Sequence, residues 1–264
     1  MLKFFQNLWR HRRYAIRSAR AELRSEVADS YLNWLWWVIE PLCFMAVYTF
    51  VFGYLFRRGQ EHFASFVFIG LTLWEFFNRM LTGSVRLLAD HRELVTKVYI
   101  PKYVLLAAKS LTYLFKTGIS LLLALGLMAL QGVHFSLTIL WLPVILLVLY
   151  IVAFALGMFL LHLGVLFSDM QKLITILMRV LFYLSGVFYN IRLLASRFFE
   201  GKLSFWMIRA NPAAFCMDEA RKVMLEGRAP SFEGLAVWFV VGFILLALGA
   251  ALVHRNEYTY AKII

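Results

Sequence analysis

The chain has 264 residues, 62% of them hydrophobic and only 16% charged, with a mean hydropathy of +0.74. A soluble domain of this size runs nearer half apolar and a quarter charged, so the composition predicts an all-α integral membrane protein, one membrane domain over 1–264 without an appended soluble domain. The formal net charge of +12 does not point to nucleic acid, because the basic residues sit at the N-terminus and between apolar segments, where topology rules and anionic headgroups account for them.

Residues 1–30 place Phe4, Phe5, Leu8 and Trp9 beside Arg10, Arg12, Arg13, Arg17, Arg20 and Arg24. An apolar, aromatic side against many arginines is the pattern of a helix lying in the membrane surface, and it serves equally as a basic topogenic tail. The stretch lacks a continuous apolar core and a small-residue cleavage site, so it is not read as a cleavable signal peptide. Six apolar spans follow, at about 34–56, 63–82, 104–131, 139–163, 173–189 and 235–253. Each is near the length that crosses about 30 Å of hydrocarbon at about 1.5 Å per residue.

Early in the first span Glu40 and Pro41 stand side by side. Pro41 frees a backbone carbonyl and permits a kink, and a lipid-exposed acid is costly. The pair predicts a hinge at the mouth of the span, with Glu40 accepting hydrogen bonds from Trp or Arg groups. After the second span, 83–103 sets Leu87, Leu88, Leu94 and Val95 at roughly helical spacing beside Arg86, Asp90, His91, Arg92 and Glu93. That reads either as a short amphipathic helix with a charged face open to another protein or as a turn joining two spans. Pro101 ends it. Segment 190–234 is too polar to span and too apolar for a free loop. Gly201, Asn211-Pro212 and the run 227–230 divide it into short amphipathic pieces predicted to lie in or dip into the outer interface.

With the N-terminus inside, the pieces 1–33, 83–103, 164–172 and 254–264 carry 14 Lys and Arg, against 9 in 57–62, 132–138 and 190–234. That bias predicts both termini on the cytoplasmic side. Ionisable residues within or bordering spans are Glu40, Glu75, Arg79, Lys109, Lys116 and Arg179. Glu75 and Arg79 are four apart and can pair on one helix face. Lys109 is placed to snorkel toward the cytoplasmic interface, whereas Lys116 lies deeper. His162, alone within a span, reads as a hydrogen-bonded structural residue. Cys43 and Cys216 fall in different segments without ligand spacing and read as packing residues. No nucleotide-binding loop, H-E-x-x-H, C-x-x-C or G-x-S-x-G motif is present in the sequence, so no catalytic residue and no metal site are predicted.

Aromatic residues form 17% of the chain. Tyr48, Phe52 and Tyr54 of the first span, with Phe182, Tyr183, Phe188 and Tyr189 of the fifth, exceed what an interfacial belt needs. A pathway for sugars, whose rings pack on aromatic faces, and ordinary helix or lipid packing both account for them.

In chain order, ELRSEVADSYLNWLWWVIEPL, LVTKVYIPKYVLLAAKSL, GVLFSDMQKLITILMRVLFYLSGVFY and NPAAFCMDEARKVML resemble the motifs of the membrane subunits of ABC-2-type exporters for surface polysaccharides. That group includes the O-antigen, capsule and wall teichoic acid permeases. The four blocks are a basic lead-in to tryptophans and Glu-Pro, a Lys-Val-Tyr-Ile-Pro block, an Asp step into the fifth span and an Asn-Pro block before the last. The resemblance covers nearly the whole chain. It implies a half-transporter of the bacterial plasma membrane, in which two copies of this chain surround a conduit in contact with membrane lipids. Each copy docks on one of two ABC ATPase subunits that bind ATP and Mg, and this chain carries no cofactor. The implied cargo is a glycopolymer on a polyprenyl diphosphate carrier. The aromatic-Val-Phe-Gly pattern of the first span sets the teichoic acid and O-antigen branch ahead of the capsule branch, with wall teichoic acid the first choice and O-antigen polysaccharide next.

By the same resemblance, 1–30 is an amphipathic gate helix with Arg13, Arg17 and Arg20, and Glu40 and Pro41 set the gate. The cytoplasmic coupling helix falls on 86–100, with Arg86, Asp90, Arg92, Glu93 and Lys97. External re-entrant helices between the fifth and sixth spans fall at about 192–225, and the conduit lining falls on Tyr48, Phe52, Tyr54, Phe182, Tyr183, Phe188 and Tyr189. The chain departs from the family where a second proline often follows Pro101, since Leu106 or Ala107 stands there. Other readings stay open. A membrane-embedded transferase for polyprenyl-linked substrates needs clustered acids or a metal-binding pair, and the cytoplasmic loops offer only Asp90, Glu93 and Asp169, apart from one another. An ABC-2 permease for a smaller lipid or drug typically carries larger external domains. A proton-coupled carrier would use Glu40 and Glu75 as relay acids.

Overall fold

The structure, a computed structural model, describes residues 2–28, 31–55, 61–97, 100–190, 210–257 and 259–260. Ten α-helices carry the described residues, with short 3-10 and π-helical pieces and no strand among them. At the N-terminus, α1 (Leu2–Arg10) turns into α2 (Arg12–Ala28). Ala15 and Ala19 are buried on α2; being small and four apart, they let the helix lie closely along the body. The arginines Arg13, Arg17 and Arg20 face outward.

After a 3-10 turn, α3 (Trp36–Tyr48) runs into a π-helical segment, Thr49–Leu55. Pro41 sits inside α3, where its missing N–H leaves the carbonyl of Trp37, four residues earlier, without its helical donor. None of the residues of α3 is buried within the chain. Its neighbour α4 (Phe63–Asp90) is the reverse, with 19 of its 28 residues buried. Helix α4 packs against α3, α6 (Lys102–Leu130), α7 (Leu142–Leu166), α8 (Met170–Leu184) and α9 (Pro212–Arg221), and is the hub of the bundle. A short helix, α5 (Arg92–Lys97), follows it. At Gly164 a Cβ would overlap the Val85 backbone, so the absence of a side chain there lets α7 approach α4. The last helix, α10 (Phe232–Arg255), lies on α7.

Four helical stretches are long and apolar enough to cross a bilayer: Asn33–Tyr54, Lys102–Leu130, Leu137–Leu166 and Phe232–Arg255. They match the first, third, fourth and sixth predicted spans. The second predicted span is α4, which continues to Asp90 rather than ending at 82 and is made less apolar by Glu75, Asn78 and Arg79. The fifth is α8, whose 15 residues reach about 22 Å, short of about 30 Å of hydrocarbon. Helix α8 stops because Gly186 takes a positive φ of 72°, and the chain then folds back to bury Val187 and Phe188. Part of the predicted re-entrant region, 191–209, lies outside the described residues.

Candidate functional site

Helix α2 is held to α6 by ions that the arginine-based reading overlooked. Glu22 pairs with Lys109 and accepts from the Thr112 hydroxyl at 3.1 Å. Glu26 pairs with Lys116 at 2.5 Å. Two acids four apart on one helix thus meet two lysines seven apart on the other, one helical face against one helical face. Lys109 and Lys116 thus each have an acidic partner on α2. The same seam leaves Arg13, Arg17 and Arg20 exposed on the opposite face of α2.

Beside this seam, α3, α4 and α6 enclose a cavity of about 230 Å³, reached also by Phe182 of α8. Arg79 stands in its wall between two acids. Its Nε donates to Glu75 at 3.1 Å, the pair predicted from the four-residue spacing, and its Nη2 lies 3.5 Å from Glu40. The Arg partner expected of Glu40 is thus Arg79 of α4. Thr72 also lines the cavity, and its buried hydroxyl has no hydrogen-bond partner among the described residues.

Of the seven aromatic residues assigned to the conduit, four form one packed cluster. Phe188 stacks on Phe52 at 4.4 Å between ring centres, and meets Tyr48 at 4.6 Å and Phe182 at 5.1 Å. With Phe188 only 3% exposed, this cluster locks the π-helical end of the first span onto the end of α8. Tyr54 and Tyr183 are exposed. Tyr54 stacks instead on Phe50, while the Tyr189 hydroxyl donates to the Tyr183 carbonyl at 2.8 Å.

The predicted coupling stretch 86–100 is not one helix. Arg86 and Asp90 belong to the last turns of α4, which continues because Leu87 and Leu88 are buried. His91 breaks the path, and α5 begins with Arg92. Arg86, Asp90, Arg92, Glu93 and Lys97 are all exposed, with local pairs at 3.6 Å (Arg86–Asp90) and 3.3 Å (Lys97–Glu93). Such pairs leave a charged rim accessible to another protein. Val95 anchors the underside, where its carbonyl accepts from buried Lys102 at 3.4 Å. The adjacent Tyr103 accepts from Asn7 of α1 at 2.6 Å and packs on Phe4. The C-terminal end reaches the same region of the bundle, since Tyr260 bonds His162 of α7 at 2.8 Å. The structural role expected of His162 is thereby met.

Helix α9 explains the Asn-Pro block. The Asn211 side chain accepts from Ala213 and Ala214 N–H groups at 3.0 and 3.3 Å, and Pro212 takes the first helical turn; this is an N-cap followed by a proline whose missing donor costs nothing there. Buried Arg221 donates to three main-chain carbonyls, of Phe66 (3.0 Å), Gly186 (2.8 Å) and Val187 (2.8 Å). Its guanidinium also lies over the Phe66 ring at 3.5 Å. Burial pushes Arg221 down to about 9, opposed by the charge of Asp218, so it remains a cation at neutral pH. Burial pushes the Cys216 thiol up, which makes it a packing residue without thiolate chemistry. Sequence reading had no signal for Arg221 beyond a basic residue in a polar segment.

A helical bundle with four segments long and apolar enough to cross a bilayer is the architecture of a multi-pass membrane protein. The chain belongs to the ABC-2 type transporter family, which it matches over residues 16–225. It is similar to the O-antigen export system permease protein RfbA of Myxococcus xanthus, with 27% identity over 99% of both chains. A protein of the same name from Klebsiella pneumoniae is 24% identical over 92% of each. The polysialic acid transport protein KpsM of Escherichia coli is 24% identical over 89% of this chain and 90% of its own.

Proposed function

We propose that this chain is the permease subunit of an ATP-driven exporter that carries a polyprenyl-diphosphate-linked polysaccharide of O-antigen type across the bacterial plasma membrane. The observation that carries this reading is the end-to-end similarity to a permease named for O-antigen export. The relatives give no support to teichoic acid as the first choice, and O-antigen polysaccharide takes its place. In this reading six segments cross the membrane, α4 and α8 among them, with both termini cytoplasmic. Glu75 and Arg79 of α4 pair with each other and face the cavity, as intramembrane charge requires. Two copies pair around the conduit, and two ABC ATPase subunits bind ATP and Mg. Arg86, Asp90, Arg92, Glu93 and Lys97 meet the ATPase. Val95 and Lys102 pass its motion to α6, and the Glu22 and Glu26 seam passes it back to α2. Arg13, Arg17 and Arg20 face the headgroup region, and Glu40 and Pro41 set the angle of the first span. Tyr48, Phe52, Phe182 and Phe188 keep that span and α8 moving together, leaving Tyr54, Tyr183 and Tyr189 nearest the passing chain.

Depletion of the protein tests the reading. Surface polysaccharide should disappear while its lipid-linked form accumulates inside, and only a functional partner ATPase should allow rescue. Unchanged surface polysaccharide would overturn it.

A further inference from the structure

We infer that the segment following α10, residues 256–260, is an abutment beneath the corner between α5 and α6, with Glu257 and Tyr260 as positioning residues for the coupling of ATPase movement to the bundle. The inference rests on the export reading and adds to it two residues that lie outside the charged rim. The segment folds inward. The Asn256 side chain donates to the Leu252 carbonyl at 2.9 Å and closes the end of α10. The Thr259 and Tyr260 N–H groups then both donate to the Asn256 carbonyl, at 3.0 and 3.3 Å. That turn carries Tyr260 into the bundle, where its side chain is buried. Its hydroxyl lies 2.8 Å from His162 Nδ1, and its ring meets the imidazole edge-on. With the apolar body buried and the polar tip bonded, the segment has one defined seat on α7.

Glu257 is buried in the same place, and its charge acts on Lys102, Tyr103 and Tyr260 together. His254, in the last turn of α10, lies 3.6 Å from it. Lys102 is the buried cation whose Nζ holds the Val95 carbonyl of α5. An ammonium group is tolerated inside a protein only with a counter-charge, and Glu257 supplies it. Without that acid Lys102 is driven toward water and lets Val95 go. A push on α5 would then bend the corner instead of moving α6. The seat on His162 matters for the same reason, because it keeps the acid from following Lys102 outward.

The test uses the full-length chain with its partner ATPase, in lipid nanodiscs and in cells depleted of the wild-type protein. Glu257→Gln keeps the shape and removes the charge, and Tyr260→Phe keeps the ring and removes the hydroxyl. In nanodiscs, hydrogen exchange at the α5 amides of Val95, Thr96 and Lys97 is followed. It should quicken at least about tenfold in Glu257→Gln, as an uncompensated buried charge implies. In Tyr260→Phe it should quicken about two- to tenfold, the effect of one hydrogen bond. Exchange at buried residues midway along α4 should stay as in the wild type; if Glu257→Gln loosens α4 as well, the milder Tyr260→Phe decides. Adding Glu257→Gln to Lys102→Met should bring no further quickening, since both act through one grip. In cells, surface polysaccharide should fall in both single variants while ATP hydrolysis by the purified complex holds, a split that loss of fold would not produce. Unchanged exchange at α5 in Tyr260→Phe would overturn the abutment, as would additive effects or export and hydrolysis falling together. The exchange results do not depend on what is exported. Failure of the export reading shows instead as normal surface polysaccharide after depletion.

Discussion

Helices α3 and α4 are neighbours in sequence and in space, yet they are built in opposite senses. The first is apolar but for Glu40 and buries none of its residues within the chain. The second carries Glu75, Arg79, Arg86 and Asp90 and buries 19 of 28. In a soluble protein the more apolar helix would be the core. In a membrane, lipid is as apolar as leucine, so hydropathy marks the surface that meets lipid or a second subunit, and the helix with polar groups moves inside.

Four experiments sharpen or break that contrast. Phe68→Ala, at a fully buried position of α4, should destabilise the purified protein by about 3–5 kcal/mol in denaturant unfolding; a loss below about 1 kcal/mol would deny α4 its central place. Gly70→Ala drives a methyl group into the Arg221 guanidinium. It should cost about 1–3 kcal/mol, with faster proteolysis after α8, where Arg221 holds Gly186 and Val187. A double-mutant cycle on Glu22 and Lys109, each about a quarter exposed, should yield a coupling of about 0.5–1 kcal/mol that shrinks in high salt. No coupling would detach α2 from α6. On the outer face of α3, Val47→Ala should leave stability within about 0.5 kcal/mol while reducing export and the recovery of dimer after cross-linking. If stability falls as far as for Phe68→Ala, α3 is packed inside the chain after all.

Much of this architecture was legible in the sequence, though unevenly. Four spans announced themselves by length and apolarity, and Glu75–Arg79 by a spacing that any helix brings onto one face. The Asn-Pro block was visible as a break, and its role as a cap follows once a helix is known to begin there. Helix α4 was cut short because Arg86 and Asp90 resemble loop residues, although Leu87 and Leu88 continue the buried stripe. The Glu22–Lys109, Glu26–Lys116 and Glu40–Arg79 pairs were illegible because each partner is far away in the chain, and local spacing says nothing about which helices become neighbours. For the same reason the aromatic residues of the first and fifth spans were countable but not sortable. Phe188 turns inward only because the chain reverses at Gly186.

Lys102 and Tyr103 are consecutive residues, and one grips α5 while the other grips α1. Mechanically they form a joint without slack. A displacement of α5 by a fraction of an ångström cannot be absorbed by loop bending before it reaches the N-terminal helix, since the link between them is a single peptide unit at the rigid start of a 29-residue rod. On the export reading, that rod would carry the movement to its other end, about 43 Å away.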